Sequence, residues 1–126
     1  MFSHVMLGSD DIAVSKQFYD ALFEVIGADH QGTDEKGRLY YVKGQQIFLV
    51  TLPINGEAAS GANGGTIGWA LPNEEAVNQW HRAGIKGGGT AIESPPGIRK
   101  LGDRELYLAY LRDPFGNKLC GLYSKA

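Results

Sequence analysis

The stretch Thr66-Ile67-Gly68-Trp69-Ala70-Leu71-Pro72-Asn73-Glu74-Glu75-Ala76-Val77 decides the fold, because it restarts a pattern that the chain has already used once. Thr66 to Leu71 reads as a strand, with Thr66, Gly68 and Ala70 on one face and Trp69 on the other. Asn73 supplies a helix N-cap, and Glu74 and Glu75 complement the positive end of the helix dipole. Ala76, Val77, Trp80 and Ala83 form an apolar stripe, and Gly84 is read as the stop. The N-terminal half has the same opening. Phe2 to Gly8 reads as a strand carrying Phe2, His4, Met6 and Gly8 on one face. Ser9-Asp10-Asp11 then caps a helix from Ile12 to Ile26, whose stripe is read as Val14, Phe18, Ala21, Leu22 and Val25, with Gly27 at its end.

Working outward, each opening is followed by three further strands. In the first half they are 28–33, Arg38 to Lys43 and Gln46 to Leu52, with turns at 34–37 and Gly44-Gln45. In the second they are 88–94, Glu105 to Arg112 and Lys118 to Tyr123. Ser94 to Asp103 is read as a loop, on its Pro95-Pro96-Gly97, and Asp113 to Asn117 as a turn. Residues 53–65, small and glycine-rich, read as a linker or mobile loop. Both halves therefore read β-α-β-β-β, an internal repeat. One helix covers one face of each small sheet, and the other face is left for a ligand trough.

Composition narrows the function. A chain of 126 residues with 43% hydrophobic and 21% charged residues supports one folded domain. Fourteen acidic residues against 12 basic ones give −2, with no basic excess for nucleic acid. One cysteine excludes an internal disulfide framework and fits a reducing compartment. No secretion signal is read at Met1-Phe2-Ser3-His4, and no apolar run would span a bilayer, so a soluble cytoplasmic protein without a membrane partner is expected. Eighteen glycines suit turns and bent strands better than a helical bundle.

Three local patterns join this order. The first is His4-Val5, then Asp11 and Ser15-x-x-Phe18-Tyr19-x-x-x-Phe23. The second is the restart Thr66 to Leu71 after the glycine-rich linker. The third is Leu111-Arg112-Asp113-Pro114-Phe115-Gly116-Asn117-Lys118-Leu119. Together they resemble the vicinal oxygen chelate superfamily of glyoxalases, bleomycin-resistance proteins and extradiol dioxygenases, the third looking like its DPxGN hairpin. The resemblance implies an α+β fold: two βαβββ modules forming a curved mixed sheet around a cup-shaped cleft, often as a homodimer. Module one would be 1–52, the linker 53–65 and module two 66–126.

Metal-using members of that superfamily present His, His or Gln, and Glu on the cup floor, and the metal stabilises an oxyanion. By resemblance these positions fall on His4, Thr66 and Cys120. Threonine is a poor neutral ligand, and His with one Cys is short of a three-ligand site, so no metal site and no cofactor is assigned. His4 is read as pocket lining, a hydrogen-bonded core histidine or a frayed terminal residue. Cys120 is read as a small buried hydrophobe, or as a nucleophile if His4 activates it; these two are the catalytic candidates. Met6, Gly68 and Ala70 follow His4 and Thr66 on the same strand faces and would make a small or apolar floor, with Thr66 also a ligand-binding candidate. Arg99 could clamp a carboxylate or phosphate at the mouth. Tyr107 and Tyr110 lie on opposite strand faces, so at most one points inward, and Tyr110 is taken as the ligand-side residue. The reading that follows is a protein binding a small, partly apolar molecule in the inter-module cleft without the usual metal triad. The alternative is a divalent-metal-dependent lyase, isomerase or dioxygenase using His4 with other partners. A third is a module that serves only protein–protein contact.

Overall fold

The computed structural model of the chain describes residues 1–125. It contains β1 (His4–Gly8), α1 (Ile12–Ile26), β2 (His30–Thr33), β3 (Leu39–Lys43) and β4 (Gln46–Thr51), then β5 (Ile67–Ala70), α2 (Glu74–Lys86), β6 (Thr90–Leu101), β7 (Arg104–Arg112) and β8 (Lys118–Ser124). Each βαβββ module makes its own four-stranded mixed sheet, ordered β1-β4-β3-β2 and β5-β8-β7-β6. In each, the first strand pairs in parallel with the last, and the remaining pairs are antiparallel. The fold is α+β, with two sheets of matching topology in place of one continuous sheet.

Both helices begin where the caps predict. The Asp11 carboxylate accepts from the Ala13 and Val14 N–H groups, and the Asn73 side chain from Ala76 N–H. Two helix readings need correction. The buried face of α1 is Ser15, Phe18, Tyr19, Leu22, Phe23 and Ile26, whereas Val14 is exposed. The stripe is rotated because α1 also packs against α2, which widens the covered face beyond one sheet contact. Gly84 does not end α2; the helix runs on to Lys86 and Gly87 caps it. Gly84 is instead where the two modules come close, since a Cβ there would stand 2.2 Å from Leu111 Cδ1 and 3.2 Å from Leu22 Cδ2.

Ser94 to Asp103 is not a loop, because β6 runs through it to Leu101. The ladder skips from Ile92 to Gly97, so Glu93 to Pro96 form a bulge on β6. Pro95 and Pro96 therefore sit where no ladder N–H is required, which is how two prolines fit inside a strand. Glu93 takes a left-handed backbone, φ 59°, in that bulge.

One core lies on the helix side of both sheets. Phe23 stacks on Tyr41 at 4.3 Å, Trp69 meets Phe48 edge-on at 5.3 Å, and Trp80 lies 6.5 Å from Trp69. Trp80 is fully buried, and Trp69 lies on the face where α2 packs, as its alternation predicts. A second tie crosses the modules at the 113–117 turn. The buried Asp113 carboxylate accepts from the Tyr19 hydroxyl (2.5 Å), the Phe115 and Asn117 N–H groups and the Asn117 amide. Asn117 also donates to the Gly8 carbonyl at 2.9 Å, and Arg112 to the Gly116 carbonyl. The DPFGN hairpin thus holds module two against α1 and the end of β1. The 53–65 segment is anchored as well: Ala59 N–H donates to the Asp10 carboxylate at 2.6 Å, and Gly61 packs on the Gly116 carbonyl.

Candidate functional site

Strand alternation sorts the side chains into a helix face and an open face on each sheet. On β1 and β4, Val5, Leu7, Phe48 and Val50 face the helices, and His4, Met6, Ile47 and Leu49 face away. On β5 and β8, Ile67, Trp69 and Leu119 face the helices, and Gly68, Lys118, Cys120 and Leu122 face away. Tyr107 points to α2, where its hydroxyl donates to Asn78 at 2.8 Å, so Tyr110 is the open-face member of that pair. Likewise Tyr41 is in the core and Tyr40 is on the open face.

A cleft of about 570 Å³ opens between the β1 edge of one sheet and the β5 edge of the other. His4, Phe23, Ile47, Phe48, Gly68 and Trp69 are among its walls. Its size falls within the range of small-molecule pockets, and aromatic rings form its deeper side. His4 is exposed there, and its Nδ1 shares a 2.8 Å hydrogen bond with Ser3 Oγ.

A separate cluster occupies the open face of the second sheet. Leu106, Leu108 and Cys120 are buried together, with Tyr110 and Leu122 against them. Lys118 Nζ pairs with the Glu93 carboxylate at 2.5 Å and lies 4.7 Å from the centre of the Tyr110 ring. The Arg99 guanidinium donates to the Ser94 and Pro95 carbonyls, 3.0 Å each. Burial pushes the Cys120 thiol up to about 11; Glu93 adds to the rise, while Tyr110, Lys118 and Arg99 oppose it. Burial likewise raises the Tyr110 hydroxyl, helped by Cys120 and Glu93.

The sequence-predicted residues thus divide between two places. His4 and Gly68 line the cleft. Tyr110 and Cys120 are direct partners on the second open face, Arg99 lies on the same face opposite Leu106, and Gly68 sits opposite Cys120 in the β5–β8 ladder. Met6 is on the first open face, and Thr66 immediately precedes β5. Arg99 lies on strand β6 and not in a mouth loop. Glu93 and Lys118 were missed. Their signal was weak: Lys118 alternates with Cys120, but Glu93 enters only through the bulge. The positions assigned to a metal, His4, Thr66 and Cys120, do not fit one. The threonine is a poor neutral ligand, and the described residues contain no group of three His, Cys, Asp or Glu able to hold an ion. No described helix is long and apolar enough to cross a membrane.

The sequence model of the Glyoxalase/Bleomycin resistance protein/Dioxygenase superfamily matches residues 1–120. The fold is similar to a glyoxalase/bleomycin resistance protein from Albidiferax ferrireducens T118, at 47% identity and TM-score 0.92, with 98% of each chain covered. It is also similar to a glyoxalase/bleomycin resistance protein/dioxygenase family enzyme from Burkholderia phytofirmans PsJN, at 19% identity, 96% of each chain and TM-score 0.70. A lactoylglutathione lyase from Agrobacterium tumefaciens aligns at 17% identity and TM-score 0.64, over 98% of this chain and 92% of its own. These last two likenesses are of fold alone. Among curated proteins, none matches the chain.

Proposed function

The chain belongs to the Glyoxalase/Bleomycin resistance protein/Dioxygenase superfamily, and from that premise we propose that it binds a small, partly apolar molecule in the cleft between its modules, without the family's usual metal triad. The observation that carries this is the cleft itself: about 570 Å³, with Phe23, Phe48 and Trp69 deep and the His4 imidazole as a polar group at its wall. Such a site takes an apolar body by burial and fixes its orientation with few hydrogen bonds. The same reading takes the protein as a homodimer, which sedimentation equilibrium tests directly.

The binding test is titration with Nile red, a neutral apolar fluorophore. A Cβ at Gly68 meets nothing closer than Cys120 at 4.0 Å, so Gly68→Leu can fill the cleft wall without a backbone clash. The wild-type protein should brighten the dye, and Gly68→Leu should weaken its binding about tenfold or more. No brightening, or equal binding by both proteins, would overturn the reading. One divalent ion per chain in protein purified without an affinity tag, lost in His4→Ala, would overturn its metal-free part.

A further inference from the structure

The second open face is more basic than the chain as a whole. Its strands carry Arg99, Arg104, Arg112 and Lys118, facing a single carboxylate, Glu93, in a protein whose net charge is −2. Arg99 and Lys118 stand far apart on the ladder, opposite Leu106 and Arg112. The bulge brings Ser94 and Pro95 back toward Arg99, whose Nη2 they hold, while Lys118 reaches across the Tyr110 ring. Lys118 pairs with Glu93, the residue before Ser94, so one short bulge segment contacts both cations.

Lys118 is neutralised by Glu93, but no carboxylate among the described residues pairs with Arg99. Its hydrogen bonds go to two neutral carbonyls. Carbonyl acceptors fix a guanidinium without cancelling its charge, and they leave the other edge of the fork open for a planar anion. On the same face lie the exposed Leu101 and the partly exposed Leu122, an accessible apolar surface. Arg99 and Lys118 are half-buried, which suits a small anion better than a polyanion that needs projecting cations. Glu93 keeps its place through a left-handed backbone that a non-glycine residue adopts at a cost, a pattern associated with functional sites.

We propose that this face binds a small molecule through a single carboxylate, held by the free edge of the Arg99 guanidinium and by Lys118, with the apolar part of the molecule against Leu101 and Leu122. The proposal rests on the reading of the chain as a small-molecule binder and names the charge class that it selects. Glu93 then limits affinity, because its carboxylate occupies Lys118 and repels the incoming anion.

The test is NMR titration of the full chain with benzoate and with benzamide, its neutral counterpart. Benzoate should bind at least fivefold more tightly, with shifts centred on residues 92–99, 108–110 and 118–122, and added salt should reduce that ratio. Arg99→Gln should bring the ratio to about one, and Arg99→Lys should keep part of it. Glu93→Gln should tighten benzoate severalfold and leave benzamide unchanged. A ratio near one in the wild type, a ratio unchanged by Arg99→Gln in protein with an otherwise native spectrum, or weaker benzoate binding by Glu93→Gln would each overturn the proposal. Loss of anion preference with Nile red still bound removes this proposal alone, whereas loss of Nile red binding removes the earlier reading.

Discussion

The two modules share one topology and differ in what they place on its open face. In the first sheet, Met6 pairs with Leu49 across β1 and β4. At the matching place in the second sheet, Gly68 pairs with Cys120. Large apolar side chains on one sheet thus correspond to small ones on the other. The open-face positions of the first sheet's strands carry no Asp, Glu, Lys or Arg, whereas those of the second carry four cations. A repeated fold keeps its helix-side core in both halves, because both halves must bury it. The open faces are released from that requirement and can diverge toward ligands.

The hairpins that close the sheets diverge too, and the largest expected effect lies there. Module one turns between β3 and β4 at Gly44-Gln45, module two between β7 and β8 through Asp113 to Asn117. Asp113→Ala would leave the buried Tyr19 hydroxyl and the Phe115 and Asn117 N–H groups without their side-chain acceptor, and should cost about 3–4 kcal/mol in urea unfolding. Gly44→Ala meets nothing within 4 Å and strains only the backbone at φ 60°, so about 1 kcal/mol is expected. Equal losses would mean that the Asp113 turn is a local hairpin and does not tie the modules together.

Next in size is truncation on the open faces. Leu108, 4% exposed, should lose about 2 kcal/mol as Leu108→Ala, while Ile47, 38% exposed, should lose less than about 1 kcal/mol as Ile47→Ala. Thermal melts over a range of protein concentrations sharpen the contrast. A larger loss for Ile47 that depends on concentration would mean that a second copy covers the first open face.

Much of this was legible in the sequence. The caps Asp11 and Asn73, the repeat and the side chosen by Trp69 follow from spacing alone, because local hydrogen bonding and alternation determine them. The α1 stripe was misread because a helix that contacts both a sheet and another helix buries more than one stripe. Gly84 was misread because a glycine at a close helix approach looks like a glycine at a helix end. The β6 bulge was hidden by its prolines, and with it the Glu93–Lys118 pair. Tyr110 and Cys120 are direct partners in the β7–β8 hairpin, but where Arg99 points depends on how far the β6 bulge folds back, which no spacing encodes.

The expectation of a Cys120 nucleophile activated by His4 gives a smaller but sharper test of the difference between cleft and open face. A thiol pushed up to about 11 by burial should react slowly with iodoacetamide at neutral pH. Its rate should rise about tenfold per pH unit up to pH 10, with no plateau near 7, and His4→Ala should leave the profile unchanged. A plateau near neutrality that vanishes in His4→Ala would join the cleft and the open face into one catalytic site.

The smallest effect concerns the helices. The spacing that carries Ile12, first in α1, onto Glu74, first in α2, also carries Tyr19 onto His81. Tyr19 is fully buried and answered by Asp113, whereas the His81 imidazole makes no hydrogen bond among the described residues and burial lowers its pKa. A histidine whose pKa is lower in the folded chain than in the unfolded one takes up its proton first in the unfolded chain. Its contribution to stability is therefore present above the unfolded value, near 6.5, and is lost as pH falls through the window below it. Replacing it by His81→Gln should flatten the dependence of urea stability on pH below about 6.5. An unchanged slope would place the burden of acid sensitivity elsewhere, and would make α2 at this position as indifferent to protonation as α1 is at Tyr19.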